Sequence, residues 1–204
     1  MQSRLGLQEL AQQITFSVYG LTGNPFRLQL SSIGKASEGG NSGGQQRLTA
    51  VTLGFLAERD TGHAIVVHLH SHNGHHEKTR TNIMRVLQLP SHHPASMDYR
   101  TLRIFRFDEE QKQRLQQPTV VTEQIIVAEQ PFSTEIHYWG NPPQPAWFLL
   151  VNQDDIIAGQ LLGLSLSELH LLLHNLSPIN NRQDIINQYQ RELDDYLRHL
   201  KQLH

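Results

Sequence analysis

The sequence predicts an α+β fold: an antiparallel β-sheet of about six or seven strands with a short N-terminal helix and two C-terminal helices. Two observations lead to this fold class. Short runs rich in β-branched and aromatic residues recur between residues 15 and 159, separated by turn residues, which is typical of antiparallel strands. Beyond residue 164, leucine and isoleucine instead recur at the spacing of amphipathic helices.

The N-terminal part of the chain predicts a helix, a hairpin and a loop, in that order. Leu7, Leu10 and Ile14 follow the spacing of one helical face. A hairpin is expected next, because the turn residues LTGN separate the runs TFSVYG and PFRLQLSSI. A Gly/Ser-rich loop is expected at 34–44, where the segment GKASEGGNSGG holds five glycines that disfavour regular structure.

The middle of the chain predicts the clearest hairpin and several further strands. The turn residues ERDTG join the β-rich runs QRLTAVTLGFLA and HAIVVHLHSH. A brief helix is expected in EKTRTNIMRVLQLP and ends at Pro90, which cannot continue it. The remaining strands are expected in TLRIFRF, TVVTEQIIVAE, TEIHYWG and AWFLLVNQDDIIAG. In the last of these, Asp154 and Asp155 lie between two apolar runs and predict a hairpin turn.

Two helices are predicted in the C-terminal third. Ser165 and Glu168 have the three-residue spacing of a capping box, and they stand where a leucine-rich helix begins. A second, longer helix is expected from Asn181 to the end of the chain. We therefore expect one mainly β domain at 1–160, with a helical C-terminal segment at 161–204 packed on the same domain.

The last helix carries an apolar stripe. Its members follow the alternating spacing of a helical seam: Ile186, Tyr189, Leu193, Tyr196, Leu200 and Leu203. The stripe is too short to indicate a coiled coil. Ile185 and Leu197 also broaden it, which favours docking on the chain's own sheet. A homodimer through the 181–203 helix is the alternative interpretation.

Composition and charge limit the classes of function. The formal net charge is −2, without the basic excess that favours binding to nucleic acid. The chain has no cysteine, which excludes disulfides, thiolate nucleophiles and cysteine-based zinc sites. No apolar run reaches the roughly 20 residues of a membrane span, and the N-terminus lacks the pattern of a signal peptide. These features predict a soluble protein of the cytoplasm.

A dense histidine cluster is the main candidate for chemistry, with six histidines between residues 63 and 76. In a strand, His68, His70 and His72 share one face because side chains alternate. Neutral imidazole is a good ligand for zinc and similar divalent metals, so these three residues are candidate metal ligands. The candidates for a completing carboxylate are Glu58, Asp60, Glu77 and Asp98. The alternative interpretation is a row of solvated imidazoles on the polar face of an ordinary hairpin.

A second histidine pair, His170 and His174, lies four residues apart on a predicted helix. This spacing suits chelation, but the segment lacks the glutamate of the His-Glu-x-x-His motif. The pair also borders the leucine face of the helix, which favours polar residues at the edge of a buried surface.

The sequence offers no complete catalytic constellation, so catalytic residues stay unassigned. Neither the G-x-S-x-G motif nor the S-x-x-K motif occurs. The sequence therefore predicts a binding or regulatory protein whose partner is another protein. A metal-dependent hydrolase that uses zinc at the strand end 68–72 is the alternative.

Overall fold

One antiparallel sheet of seven strands dominates the computed structural model, which describes residues 7–38, 47–58, 64–74, 81, 85, 118–140 and 144–202. The strands of the molecule are β1 (Tyr19–Leu21), β2 (Gln29–Glu38), β3 (Arg47–Glu58), β4 (Ala64–His72), β5 (Thr119–Val127), β6 (Gln130–Tyr138), β7 (Ala146–Val151), β8 (Ile156–Leu162) and β9 (Leu176–Pro178). The large sheet has the order β2-β3-β4-β8-β7-β6-β5, and β1 pairs with β9 in a small second sheet. The predicted antiparallel sheet is confirmed.

Three helices accompany the sheet in the described residues: α1 (Leu7–Gln13), α2 (Leu166–His174) and α3 (Gln183–Gln202). The two C-terminal helices were predicted, and so was the capping box that starts α2. The Ser165 hydroxyl accepts a hydrogen bond from the Glu168 backbone N–H at 3.3 Å. The Glu168 carboxylate in turn accepts from the Ser165 N–H at 2.8 Å, which satisfies two N–H groups at the helix start.

The predicted hairpin of β3 and β4 is confirmed, and it fixes which side chains face the core. Ile65, Val67 and Leu69 are almost fully buried, while the residues between them are partly exposed. The buried residues join one apolar cluster with the buried faces of α2 and α3. The strand thus presents its alternate residues to the opposite face of the sheet, as the period of two requires.

The first half of α3 docks on the chain's own sheet. Ile185, Ile186 and Tyr189 are buried, and the Tyr189 hydroxyl both donates to the Leu21 carbonyl at 2.9 Å and accepts from the Leu21 N–H at 2.7 Å. Glu192 Oε2 accepts a hydrogen bond from the backbone N–H of Leu30 at 2.9 Å. The helix therefore covers the sheet edge at the start of β2, while residues 34–37 of the strand are exposed.

The hairpin expected between β1 and β2 is wrong. β1 pairs instead with β9, so that Tyr19 lies opposite Pro178. The Tyr19 N–H donates to Ser71 Oγ at 2.8 Å, and the Ile179 N–H donates to the Val18 carbonyl at 2.8 Å. The backbone groups of this segment are thus satisfied by residues far away in sequence, which local turn signals do not reveal.

The prediction of a Gly/Ser-rich loop at 34–44 is wrong for the first five of these residues. Gly34–Glu38 continue β2, where Glu38 pairs with Arg47. The long β3 strand offers partners along this whole stretch, and its hydrogen bonds outweigh the low strand propensity of one glycine. Residues 39–44 lie outside the described residues, as do the strand expected in TLRIFRF and, apart from Thr81 and Arg85, the brief helix before Pro90.

No helix in the described part of the chain has both the length and the apolar character of a membrane span.

Candidate functional site

His68, His70 and His72 stand in line on one face of β4, and we call them the histidine row. Neighbouring ring centroids lie 6.5 Å apart for both pairs. The rings of His70 and His72 are stacked with an interplanar angle of 23°. The shared face predicted from alternation is confirmed by the register of the strand.

The histidine row lies on an interior strand of the sheet, because β4 pairs with β3 on one side and with β8 on the other. His70 is flanked by Thr52 on β3 and Ala158 on β8. The Thr52 hydroxyl and His70 Nδ1 lie 2.9 Å apart, within hydrogen-bond distance. His68 is flanked by Gly54 and Gln160, and the Ser32 hydroxyl occupies the place that a side chain at Gly54 would take.

Burial keeps the histidine row neutral near pH 7. It lowers the pKa of His68 below its usual value. Burial, reinforced by the neighbouring His68, lowers the pKa of His70 to about 4. Burial and the neighbouring His70 lower the pKa of His72 to about 4. The three imidazoles are half-buried on this face, so a charged form would be less well hydrated here than on an open surface.

The neutral form is the one that binds metals, but the row is not a ready-made metal site. Neighbouring ring centroids lie 6.5 Å apart, so two of these imidazoles would have to turn toward each other before their nitrogens could share one zinc. Within the described residues, no group of three histidine or carboxylate side chains could hold a metal. Glu58 lies opposite Ala64, at the far end of β4 from His72. The metal site therefore stays a prediction.

The other residues that the sequence suggested for the metal site lie outside the part of the chain that the structure describes. The histidines that follow β4 in the sequence, His75 and His76, lie outside the described residues. The same holds for three of the candidate carboxylates, which are Asp60, Glu77 and Asp98.

A fourth histidine, His137, lies on the same face of the sheet and contacts a carboxylate. Its Nε2 lies 2.5 Å from Oε1 of Glu135, two residues earlier on β6. Its ring meets Trp147 edge to face, with the centroids 5.3 Å apart. Both aromatic side chains are buried. Sequence reasoning missed this pair, although a glutamate and a histidine two residues apart in a strand must share a face.

His170 and His174 attach α2 to the sheet rather than to a metal. His170 Nε2 lies 2.5 Å from Oε1 of Glu123 on β5. His174 Nδ1 lies 3.3 Å from the carbonyl oxygen of Ile126 on the same strand. The interpretation of these two residues as polar groups at the edge of a buried surface agrees with these contacts.

An open groove of about 650 Å³ lies where the segment before β1 meets the turn between β7 and β8. Most of its wall is polar. The lining residues are Ile14, Thr15, Phe16, Ser17, Gln130, Asp154, Asp155, Pro178, Asn180 and Asn181. The predicted turn at Asp154 and Asp155 is confirmed by the pairing of β7 with β8, but nothing in the local sequence shows that it borders a groove.

The walls of the groove are held by hydrogen bonds. Asn180 Oδ1 accepts from the Val18 N–H at 2.7 Å, while its Nδ2 donates to the Phe16 carbonyl at 2.8 Å. On the opposite wall, Asn152 Oδ1 accepts from the backbone N–H groups of Asp154 and Asp155 at 2.8 and 2.6 Å. Each wall is thus fixed by an asparagine that satisfies backbone groups.

A buried carboxylate lies at the base of this groove. Asp155 is only 7% exposed, and its Oδ2 accepts a hydrogen bond from the Tyr19 hydroxyl at 2.8 Å. Burial, the hydrogen bond to Asp155 and its charge raise the pKa of Tyr19 well above its usual value. The tyrosine therefore stays protonated and keeps donating to the carboxylate at any physiological pH.

No protein-family model, no curated protein and no solved structure matches this chain. The functional argument therefore depends on the geometry of the described residues.

Proposed function

We propose that this chain is a non-catalytic binding protein that recognises a polar segment of another protein. The observation that carries the proposal is the groove of about 650 Å³ beside the β7–β8 turn. Concave sites with a few converging polar groups are the usual places of recognition. The volume suits a few residues of an extended chain rather than a small ion.

The chemistry of the wall indicates what the groove would bind. Amide and hydroxyl side chains such as Asn181 and Ser17 both donate and accept hydrogen bonds, so they suit peptide groups. Asp154 and Asp155 add two carboxylates, which favour a lysine or arginine in the bound segment. We therefore infer a basic peptide segment as the ligand class.

The same proposal assigns the protein a regulatory role in the cytoplasm. A chain without cysteine is compatible with this reducing compartment. Localisation of the full chain, carrying a small tag, in cells of its source organism tests this part.

Selection from a random displayed peptide library tests the groove. We expect enriched peptides to contain lysine or arginine and to bind the wild-type protein in calorimetry. Asp154→Lys should abolish or strongly weaken this binding, because it reverses a charge on the exposed part of the wall. Asp195→Lys changes another exposed aspartate, on α3 and away from the groove, and is the control that should bind like wild type. Equal binding by both variants would contradict the proposal.

A metal-dependent hydrolase at His68, His70 and His72 is the second candidate function. One observation favours it: burial holds these imidazoles in the neutral state that zinc requires. In this function zinc would lower the pKa of a bound water and produce hydroxide at neutral pH. Calorimetric titration with zinc separates the candidates, since a true site binds one zinc in wild type and none in His68→Ala/His70→Ala.

Self-association through α3 is a further proposal carried by the apolar stripe of the helix. Ile186 and Tyr189 are buried against the chain's own core, which leaves the half-buried Tyr196, Leu197 and Leu200 for a second copy. This remaining seam spans little more than one helical turn. A Leu200→Lys variant, compared with wild type by sedimentation, tests whether the seam associates.

A further inference from the structure

The two edges of the seven-stranded sheet differ in how they are covered. The β2 edge is covered at its start by α3, whose Glu192 accepts from the Leu30 N–H. The β5 edge has no neighbouring strand among the described residues. Along this edge, His174 Nδ1 lies 3.3 Å from the Ile126 carbonyl oxygen. An uncovered edge is a template for another strand.

The hairpin turn tells which groups of β5 point outward. Ala128 and Glu129 both have positive φ, 48° and 67°, so they form a two-residue turn of type I′ between β5 and β6. Such a turn is closed by a hydrogen-bonded pair, here Val127 with Gln130. Alternate residues of β5 therefore bond to β6, and the even-numbered residues direct their N–H and C=O groups away from it. The contact of His174 with the carbonyl of Ile126, an even-numbered residue, agrees with this assignment.

Exposed apolar side chains concentrate at this edge. Among the described residues, the large hydrophobic side chains that are exposed are Val120, Ile126 and Leu171. Val120 and Ile126 lie on β5 and are 54% and 56% exposed. Leu171 lies on α2, the helix whose histidines contact β5. Edge strands ordinarily carry charges or proline in such positions. The apolar residues on β5 therefore indicate that another strand covers this edge in the functional protein.

We propose that a second copy of this chain pairs with β5, strand to strand and antiparallel, across a two-fold axis at Glu123. This register places Val120 opposite Ile126 of the other copy, and Thr122 opposite Gln124. All four outward residues then form hydrogen-bonded pairs. Apolar side chains meet apolar ones and polar side chains meet polar ones, so the strand is complementary to itself.

Neighbouring registers lack this complementarity. A shift of the axis to Thr122 places Val120 opposite Gln124 and leaves Ile126 opposite Pro118, which has no N–H to donate. A shift to Gln124 places Ile126 opposite Thr122 and leaves Val120 beyond the turn. The register at Glu123 therefore uses the exposed apolar surface best.

Two existing contacts at the edge are compatible with this pairing. The Glu123 side chains of the two copies would face each other, but each carboxylate already contacts His170 Nε2 at 2.5 Å on the α2 side. The Ile126 carbonyl would receive an N–H from the second copy besides His174, which its two lone pairs permit.

Disulfide trapping tests the register, and the absence of cysteine makes the background clean. Hydrogen-bonded antiparallel pairs have Cα atoms about 5.5 Å apart, within the span of a disulfide. We expect mixed Val120→Cys and Ile126→Cys proteins, one of them carrying a mass tag, to form a mixed disulfide dimer on mild oxidation. Either variant alone should not crosslink, because its two cysteines would lie roughly 20 Å apart.

Sedimentation of the full chain tests the association itself. Thr122→Pro removes an outward N–H on each side of the axis without removing a bond to β6, so the dissociation constant should rise at least about tenfold. Leu200→Lys lies in the α3 seam, the other proposed interface, and separates the two: it leaves the dissociation constant unchanged if the copies pair through β5. The proposal would be overturned if the wild type were monomeric. It would also be overturned if Leu200→Lys, but not Thr122→Pro, dissociated the dimer, or if the single cysteine variants crosslinked as strongly as the mixture.

Discussion

Mild acid should destabilise this protein through His70 and His72. Both side chains are half-buried on the sheet, and this burial, with the neighbouring imidazole, lowers their pKa from 6.5 to about 4 in the folded chain. Between these two values the unfolded chain binds more protons than the folded one. The free energy of unfolding must therefore fall as the pH falls through this window, and the stability is regained above pH 6.5.

The size of the effect follows from the two pKa values. Lowering the pH from 7.0 to 5.5 protonates most unfolded histidine but almost none of the folded His70 and His72. Each residue then costs about 1 kcal/mol of stability, and the pair about 2 kcal/mol. His68, whose pKa is also lowered by burial, acts in the same direction. A loss of this size is a large fraction of the stability of an ordinary domain.

Urea unfolding followed by circular dichroism at pH 7.0 and 5.5 measures this loss. The double variant His70→Gln/His72→Gln removes both titrating groups but keeps polar side chains, so it should lose about 2 kcal/mol less than wild type over the same interval. His199→Gln, on the exposed side of α3, controls for the removal of a histidine elsewhere. Equal losses in wild type and the double variant would refute the reasoning.

Three variants test the local structure, each by thermal or urea unfolding. Ala128→Asn/Glu129→Gly should stabilise the β5–β6 hairpin by about 0.5–1 kcal/mol, because these residues tolerate the positive φ that the turn requires; a loss of stability would contradict the turn geometry. Ser165→Ala should cost about 1 kcal/mol through the lost helix cap, and no change would argue against the capping box. Tyr189→Phe should cost about 1–3 kcal/mol, since both backbone groups of Leu21 lose their buried partner; a neutral result would show that water replaces the hydroxyl.

Local patterns in the sequence predict local structure well here. The capping box at Ser165 is a contact over three residues, and the β3–β4 hairpin is set by two adjacent runs and their turn. Neither depends on the rest of the fold. The shared face of the histidine row follows for the same reason, since alternation within one strand is enough to define it.

Features that depend on distant pairings could not be predicted. Tyr19 pairs with Pro178, far along the chain, so the expected hairpin with β2 had the wrong partner. The partial burial of His70 depends on β8 lying beside β4, and the sheet order is not visible in any single segment. The groove has the same origin, because Ser17, Asp154 and Asn181 meet only in the folded chain.

The metal content of untagged protein, purified without a nickel column, tests most directly whether the chain acts by binding at the groove rather than by metal chemistry at the histidine row. Elemental mass spectrometry would be run on wild type beside His68→Ala/His70→Ala. We expect no stoichiometric zinc, iron or manganese in either protein, and no thermal shift on adding these ions. Near-stoichiometric metal in wild type that is lost in the variant would contradict the binding function and favour the hydrolase.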